Sequence, residues 1–304
     1  MAIVMSVNAG SSSLKFQVYD MPSEKVLAKG LVERIGLKDG VFTIKVNGEK
    51  FTEVTDIPNH EVAVNMLIDN LLKHKVVDKL EDIQAVGHRM VHGGEYYSDS
   101  VVADAEAEEK FEECIPLAPL HNPAGLLGYR TFKKALPDAV HTFVFDTAFH
   151  QTMPEENFMY AIPYEFYKND QIRRYGFHGT SHKYLTNRLA EMKGKKPEEM
   201  NIITCHLGNG GSVTAVKDGK SFKTSMGLTP LAGVMMGTRC GDIDPAIPLF
   251  LMKKHGCSAQ EVDDILNKKS GLYGVSGVSS DSRDIEAAVK AGNEQAILAH
   301  KMFV

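Results

Sequence analysis

The chain has 304 residues, and 43% of them are hydrophobic, which is enough apolar material for two cores. Thirty-four Lys and Arg against 39 Asp and Glu give a formal net charge of −5, without the dense basic run that follows a nucleic-acid backbone. The apolar N-terminus has no positively charged region and is broken at Asn8, so we expect a folded two-domain protein that binds neither nucleic acid nor a membrane.

The first half of the chain alternates strand patterns with helical patterns. β-Branched and aromatic residues at 3–7 and 14–19 flank a Gly/Ser cluster, which predicts a hairpin with a polar tip at 8–13. The further elements predicted here are, in order, strand 42–46, helix 61–73, strand 85–88, helices 106–114 and 123–134, and strand 140–145. We place the first domain at 1–150.

The second domain, 151–304, contains a second segment with the strand–turn–strand pattern of the first hairpin. After a predicted helix at 181–192, residues 201–207 and 213–216 read as strands on either side of the Gly-rich tip 208–212. Two such hairpins, each in one half of the chain, indicate duplicated domains that hold a phosphate between their tips. The sequence has neither the P-loop pattern nor the Rossmann fingerprint, which disfavours both folds.

The last segment, 284–304, has apolar residues at helical spacing on both sides of Gly292, which predicts two helices. No Gly, Asn or Pro follows the second helix before Val304. We therefore expect the second domain to be incomplete at this end, and the chain as written to bind its substrates weakly.

Phosphoryl transfer needs backbone donors around phosphates, cations on the equatorial oxygens and carboxylates for magnesium. Backbone donors are available in 10–13 and 208–212. Arg89 directly follows a predicted strand, and Arg239 lies in a glycine-flanked loop, so both are candidates for charge stabilisation. Structural ion pairs are the alternative for each arginine.

Asp146 ends an apolar strand, the position at which α/β folds bind ligands. We interpret it as a magnesium ligand, and the alternative is a cap on the following segment.

Two pairs of histidines, His88 with His92 and His178 with His182, have the i, i+4 spacing of zinc ligands. Glycines nearby make a continuous helix doubtful in both places, and the glutamate of the H-E-x-x-H motif is missing. We therefore interpret His178 as a hydrogen-bond donor to developing charge. His121, just before Asn122-Pro123, is either a loop donor or an ordinary residue at a helix start.

Six segments together resemble the acetate kinase family, which belongs to the larger group of actin, Hsp70 and the sugar kinases. The segments are Asn8-Ala-Gly-Ser-Ser-Ser-Leu-Lys-Phe16, Gly87-His-Arg-Met-Val-His-Gly-Gly94, Phe145-Asp-Thr-Ala-Phe-His150, Arg174-Tyr-Gly-Phe-His-Gly-Thr-Ser-His182, His206-Leu-Gly-Asn-Gly-Gly-Ser212 and Gly237-Thr-Arg-Cys-Gly-Asp-Ile-Asp-Pro245. The resemblance implies an α/β fold of two duplicated RNase H-like (actin/Hsp70-type) domains around a nucleotide cleft.

The resemblance also implies roles for individual residues. The catalytic group would be Arg89, Asp146, His178 and Arg239. Acetate would be bound by Arg89, Val91, Leu120, His121, Phe177 and Pro230. ATP or ADP would be bound by Ser12, Lys15, His206, Leu207, Gly208, Asn209, Gly210, Gly211, Ser212, Asp281, Ser282 and Arg283. Mg²⁺ would be held by Asn8 and Asp146.

The implied reaction is reversible transfer of the γ-phosphoryl group of ATP to acetate, giving acetyl phosphate and ADP. Propionate kinase is the alternative enzyme, because one methylene in an apolar pocket discriminates by only about 1–3 kcal/mol. An actin- or Hsp70-like ATP-binding module without a carboxylate acceptor is the alternative from another class.

Three further expectations concern the family pattern and the cellular setting. The family commonly has Phe where this chain has Ser282, and it continues beyond position 304 with a second glycine-rich loop and a magnesium-binding glutamate. The resemblance implies a homodimer. Four cysteines without paired spacing suit free thiols in the cytoplasm.

Overall fold

The computed structural model describes residues 2–119 and 121–303, and these divide into two compact units, Met1–Ala148 and Phe149–Val304. Met1, Leu120 and Val304 lie outside the described residues. The expectation about the last helix at Val304 therefore concerns a residue that is not described.

The first unit is a mixed sheet covered by helices. Its strands are β1 (Ala2–Ala9), β2 (Ser13–Met21), β3 (Lys25–Glu33), β4 (Gly40–Val46), β5 (Glu49–Thr55), β6 (Ile83–Met90), β7 (Val101–Val102) and β8 (Val140–Phe145). Its helices are α1 (His60–Lys73), α2 (Ala105–Glu113) and α3 (Asn122–Ala135).

The eight strands of this sheet lie in the order β5-β4-β3-β2-β1-β6-β8-β7. Strands β1 to β5 form an antiparallel meander, whereas β6 runs parallel to both β1 and β8. Parallel neighbours end at the same edge of a sheet, so the carboxyl ends of β1, β6 and β8 lie together. That edge carries the polar residues of the first unit's candidate site.

The core of the first unit lies between the sheet and helices α1 and α3. Leu14 in β2 and Leu67 in α1 are fully buried, and so is Phe132 in α3. Asn59 caps α1, because its side-chain oxygen accepts a hydrogen bond from the backbone N–H of Val62 at 3.0 Å. Packing of this amphipathic helix stabilises the sheet edge from which the site is built.

The second unit has a three-stranded antiparallel sheet in the order β11-β10-β9. Its strands are β9 (Ile202–Leu207), β10 (Gly211–Lys217) and β11 (Lys220–Thr224). Its helices are α4 (Glu155–Phe158), α5 (Glu165–Asp170), α6 (Gly179–Lys193), α7 (Ala246–His255), α8 (Ala259–Lys268), α9 (Gly271–Ser276), α10 (Ser282–Lys290) and α11 (Glu294–Phe303).

Most sequence-predicted elements agree with the structure to within two residues at each end. Both predicted hairpins are present, as β1–β2 and as β9–β10, and each is antiparallel. The break at Gly292 between α10 and α11 is also confirmed, with a φ of 80° at this glycine. Strands β3, β5, β7 and β11 are not predicted from the sequence.

Two further observations bear on compartment and chemistry. All four cysteines are free thiols. Within residues 2–119 and 121–303, every helix is too short or too polar to cross a bilayer.

Candidate active site

In the first unit, Arg89 near the end of β6 forms an ion pair with Asp146, which follows β8. The Nε and Nη2 groups of Arg89 donate to Oδ2 of Asp146 at 3.0 and 2.5 Å, and Nη1 donates to Oδ1 of Asn8 at 3.3 Å. The Asp146 side chain is only 3% exposed, whereas that of Arg89 is 37% exposed. Burial by itself lowers the pKa of Arg89, but the charge and hydrogen bonds of Asp146 raise it overall. Arg89 is thus a fixed cation with one accessible side.

The loop after β6 is held by Asn122, a wholly buried residue that the sequence did not single out. Its side-chain oxygen accepts from the backbone N–H of His92 at 3.2 Å, and its amide group donates to the carbonyls of His92 and Cys114, both at 3.0 Å. This segment includes Val91, which is partly exposed. His121 directly precedes α3, as expected for a residue at a helix start, and Leu120 lies outside the described residues.

The tip of the first hairpin is a tight turn closed by the backbone N–H of Gly10, which donates to the carbonyl of Ser13 at 2.8 Å. Asn8 and Lys15 are cross-strand neighbours below this tip, and Ser12 is exposed. The Gly10 carbonyl accepts a hydrogen bond from Nε2 of the buried His60 at 2.7 Å. His60 lies in α1, 50 positions from Gly10, and no local sequence pattern predicts this contact.

In the second unit, His178 and His182 share one partner, the hydroxyl of Ser212. The distances to Ser212 Oγ are 2.9 Å from His178 Nδ1 and 2.8 Å from His182 Nε2. His178 precedes α6, and His182 lies in the first turn of this helix. Their i, i+4 spacing allows both imidazoles to hydrogen-bond to Ser212. In the part of the chain that the structure describes, no three His, Cys, Asp or Glu residues are grouped to hold a metal ion.

Arg239 and His178 both reach the tip of the second hairpin. A Cβ atom added to Gly210 would lie 3.1 Å from Arg239 Nη1 and 3.4 Å from His178 Nε2. The imidazole of His178 also stacks on that of His206, with ring centroids 4.0 Å apart. A guanidinium and an imidazole therefore converge on a backbone turn, an arrangement that can stabilise negative charge.

The loop that carries Arg239 is rigidly tied. The Asp242 backbone N–H donates to the carbonyl of Gly233 at 2.8 Å, and the Gly233 N–H donates back to the Asp242 side chain at 2.8 Å. Gly241 has a φ of 72°, and a Cβ there would lie 2.6 Å from the carbonyl oxygen of Gly233. Arg239 Nη1 additionally donates to the carbonyl of Pro230 at 3.2 Å. This loop brings two of the predicted site residues into contact.

A groove of about 740 Å³ in the second unit unites two predicted nucleotide-binding segments, 207–209 and 281–283. This volume is in the range of small-molecule sites. Arg283 is paired with Asp281, and this pairing lowers the pKa of Asp281 to about 2. The groove is also lined by residues that the sequence did not predict: Gly237, Leu272, Ser280, Ile285, Glu286, His300 and Phe303.

The remaining predicted residues of the second unit differ in accessibility. Leu207, Gly208 and Asn209 are exposed, and His206 is partly exposed with Nδ1 2.9 Å from Ser181 Oγ. Gly211 and Ser212 are buried, so the Ser212 side chain faces the two imidazoles rather than solvent. Phe177 is only 1% exposed.

Comparison with known proteins identifies the family. The model of the Acetokinase family matches residues 3–304. Acetate kinases of Geobacillus sp. (strain WCH70) and Bacillus subtilis (strain 168) are each 57% identical to the chain, all of which is aligned with 76% and 77% of their lengths.

Solved structures agree with the sequence relatives. The crystal structure of Porphyromonas gingivalis acetate kinase matches with a TM-score of 0.94 and 48% identity, and that of a propionate kinase from Francisella tularensis with 0.95 and 44%. Both alignments cover the whole chain and 77% of the other protein. The fold is accordingly the duplicated actin/Hsp70-type α/β fold that the family resemblance implied. On the family match and these relatives together, the chain belongs to the acetokinase family.

Proposed function

We propose that this chain is an acetate kinase, which transfers the γ-phosphoryl group of ATP to acetate and releases ADP and acetyl phosphate. Family membership implies ATP and ADP as its nucleotide substrates. The observation that carries the proposal is Arg89: its guanidinium is fixed by Asp146 and Asn8 yet partly exposed, as a binding site for a carboxylate or phosphoryl oxygen requires.

In this reaction a carboxylate oxygen of acetate attacks the γ-phosphorus, and the bond to the β-phosphate oxygen breaks in line with it. Arg89 and Arg239 neutralise the charge on the equatorial oxygens. His178 donates a hydrogen bond to the same charge. The convergence of Arg239 and His178 on Gly210 supports these roles in the second unit.

Magnesium is part of the proposal, with Asn8 and Asp146 as its protein ligands. Their two side-chain oxygens both lie within hydrogen-bond reach of the Arg89 guanidinium. Mg²⁺ in kinases uses one or two protein carboxylates together with waters and substrate phosphates, so this pair of oxygens fits a site completed by the nucleotide. The ion would supply charge neutralisation at the phosphates.

The nucleotide is assigned to the groove lined by 207–209 and 281–283. Its volume of about 740 Å³ and its mixed polar and apolar walls suit a nucleoside. The backbone of each hairpin tip can donate to phosphate oxygens, with Ser12 and Lys15 as the proposed nucleotide-binding residues of the first unit and 206–212 as those of the second.

For the acyl group we carry over the residues that the family resemblance implies, Val91, Leu120, His121, Phe177 and Pro230, of which Leu120 lies outside the described residues. A valine at position 91 fills space that a longer acyl chain would need, which favours acetate over propionate. Propionate kinase remains the second candidate because a propionate kinase matches this fold with a TM-score of 0.95.

Three wider properties complete the proposal: a homodimer, a cytoplasmic location, and no nucleic-acid or membrane partner. The homodimer is supported by α7, where four apolar side chains are between 38% and 56% exposed. These residues are Ile247, Leu249, Phe250 and Met252. The free thiols suit a reducing compartment.

The test is to measure phosphate transfer from Mg·ATP with acetate, propionate or water as the acceptor. An acetate kinase gives its highest kcat/KM with acetate, and a propionate kinase gives it with propionate. Hydrolysis that neither carboxylate accelerates would contradict both and support an ATP-binding module.

A further inference from the structure

Behind His178 lies a row of buried polar side chains. It runs from His178 Nδ1 through Ser212 Oγ to His182 Nε2, and from His182 Nδ1 to Thr204 Oγ1, over distances of 2.9, 2.8 and 2.7 Å. Ser212 and His182 are fully buried, and Thr204 is 6% exposed. The three buried groups are shielded from solvent, and each group lies within hydrogen-bond distance of the next, so the protons must be ordered along the row.

The Thr204 hydroxyl determines which atom donates in each hydrogen bond of this row. Its hydroxyl has one proton, and the two acceptors within reach are His182 Nδ1 at 2.7 Å and the carbonyl of Thr214 at 3.4 Å. Because O–H hydrogen bonds are seldom longer than about 3.0 Å, the proton goes to the nitrogen. His182 Nδ1 is then an acceptor.

His182 itself carries a single proton at neutral pH. Burial, with a contribution from His206, lowers its pKa to about 4. With Nδ1 accepting, this proton is on Nε2 and is donated to Ser212 Oγ. The Ser212 hydroxyl must then donate its own proton onward to Nδ1 of His178.

We propose that Ser212, oriented by His182 and Thr204, is a positioning residue that keeps His178 in the neutral tautomer with its proton on Nε2. Nε2 is the nitrogen that faces the Gly210 tip beside Arg239. A neutral His178 therefore gives a hydrogen bond to the transferring phosphoryl group without placing a second cation against Arg239. This inference rests on the proposed role of His178 in phosphoryl transfer.

The charged and titratable groups that face His178 include its stacked neighbour His206 in β9, Arg239 Nη1 at the tip, and His182 through Ser212. Arg239 keeps its charge at every working pH.

The variant Ser212→Ala removes the donor to Nδ1, so neutral His178 no longer holds its proton on Nε2. We expect kcat at pH 8 to fall about tenfold, with KM for ATP little changed, and to recover as the pH falls, because an imidazolium has both protons. Thr204→Val, three hydrogen bonds from His178, should shift the profile in the same direction by a smaller factor. Thr214→Val is the matched control: this buried threonine is paired with Thr224 at 2.8 Å in the same sheet. Its pH profile should equal that of the wild type.

Two readouts separate this inference from the proposed function. In a His178→Gln background, Ser212→Ala should cause no further loss of kcat; a full additional loss would overturn the inference while leaving the kinase assignment intact. Nitrogen NMR of histidine-labelled protein, with His178 assigned from the His178→Gln variant, reports the tautomer without turnover. A proton on Nε2 in the wild type and a mixture in Ser212→Ala is the expected result. A proton on Nδ1 in the wild type would refute the inference whether or not acetate is the acceptor.

Discussion

Arg89 and Asp146 form an ion pair in which two guanidinium nitrogens, Nε and Nη2, donate to a single carboxylate oxygen. Arg89 lies near the end of β6, and Asp146 directly follows β8. These two strands are parallel neighbours, and Arg89 is in register with Val144. One side of the guanidinium is thereby occupied, while 37% of the side chain stays exposed. Arg89 therefore makes a structural ion pair, one of the two interpretations that the sequence left open, and its role in charge stabilisation stays a prediction.

Arg89→Ala should reduce kcat with acetate by about 10³-fold, the scale of charge-stabilising arginines in phosphoryl transfer. It should also lower unfolding stability by about 1–3 kcal/mol, because the buried Asp146 carboxylate loses two donors. The double variant Arg89→Ala/Asp146→Asn should regain stability but not activity. Steady-state kinetics and urea unfolding measure both effects.

The matched control is Arg130→Ala, since Arg130 pairs with Glu108 and Glu112 on the surface and is 50% exposed. It should leave kcat unchanged. Near-normal turnover in Arg89→Ala would contradict the role of Arg89 in charge stabilisation.

Gly237→Ala should weaken nucleotide binding about tenfold while leaving KM for acetate nearly unchanged. A Cβ at position 237 would lie 1.9 Å from Oδ1 of Asn209, so the asparagine side chain has to leave its place in the groove. Isothermal titration with ADP measures the effect. Gly87→Ala serves as the control, because a Cβ there meets only the Met5 carbonyl oxygen at 3.9 Å; an equal loss in both variants would argue against the groove as the nucleotide site.

The sequence predicted the two hairpins and their flanking helices because these elements carry strong local signals. Strand β3 has a weaker signal: charged residues interrupt it, and it contains Gly30. The glycine at position 30 is required by the fold, because a Cβ there would lie 2.4 Å from the Phe16 ring on the paired strand β2. Formation of β3 therefore depends on packing against residues that are distant in the sequence, and a short sequence segment does not show this packing.

The same limit applies to the site. Motif residues such as Arg89 and Arg239 were found because their immediate neighbours are unusual. The contact of His60 with Gly10 spans 50 positions, and that of Asn122 with His92 spans 30. Ser212 was assigned to nucleotide phosphates from its motif, and only three-dimensional proximity reveals that its hydroxyl serves two histidines.

Val91→Ala should shift the kcat/KM ratio towards propionate by about 1 kcal/mol, or roughly fivefold, because it makes room for one methylene group. Acetate should lose contacts and propionate should gain them. The measurement is a competition between the two acceptors at fixed Mg·ATP. Val102→Ala, at a strand position that is 60% exposed, removes the same atoms without touching the proposed pocket. An unchanged ratio in Val91→Ala would place the acyl group elsewhere.

Acid should destabilise both units at pH values well above those at which carboxylates titrate. Burial lowers the pKa of His88 and His150 to about 3 and that of His182 to about 4. In the unfolded chain each of these histidines takes up a proton near pH 6.5, whereas the folded protein binds it only near pH 3 to 4. The unfolded state thus binds more protons within this window, so stability is complete above about pH 7 and is lost as the pH falls. Each histidine contributes up to about 1.4 kcal/mol per pH unit. The urea midpoint of unfolding should be much lower at pH 5.0 than at pH 7.5. The difference between the two midpoints should be smaller in His88→Gln than in the wild type, whatever stability the substitution itself costs at pH 7.5. The exposed His255→Gln should behave as wild type. An equal fall in His88→Gln and wild type would mean that His88 is not held neutral in the folded protein.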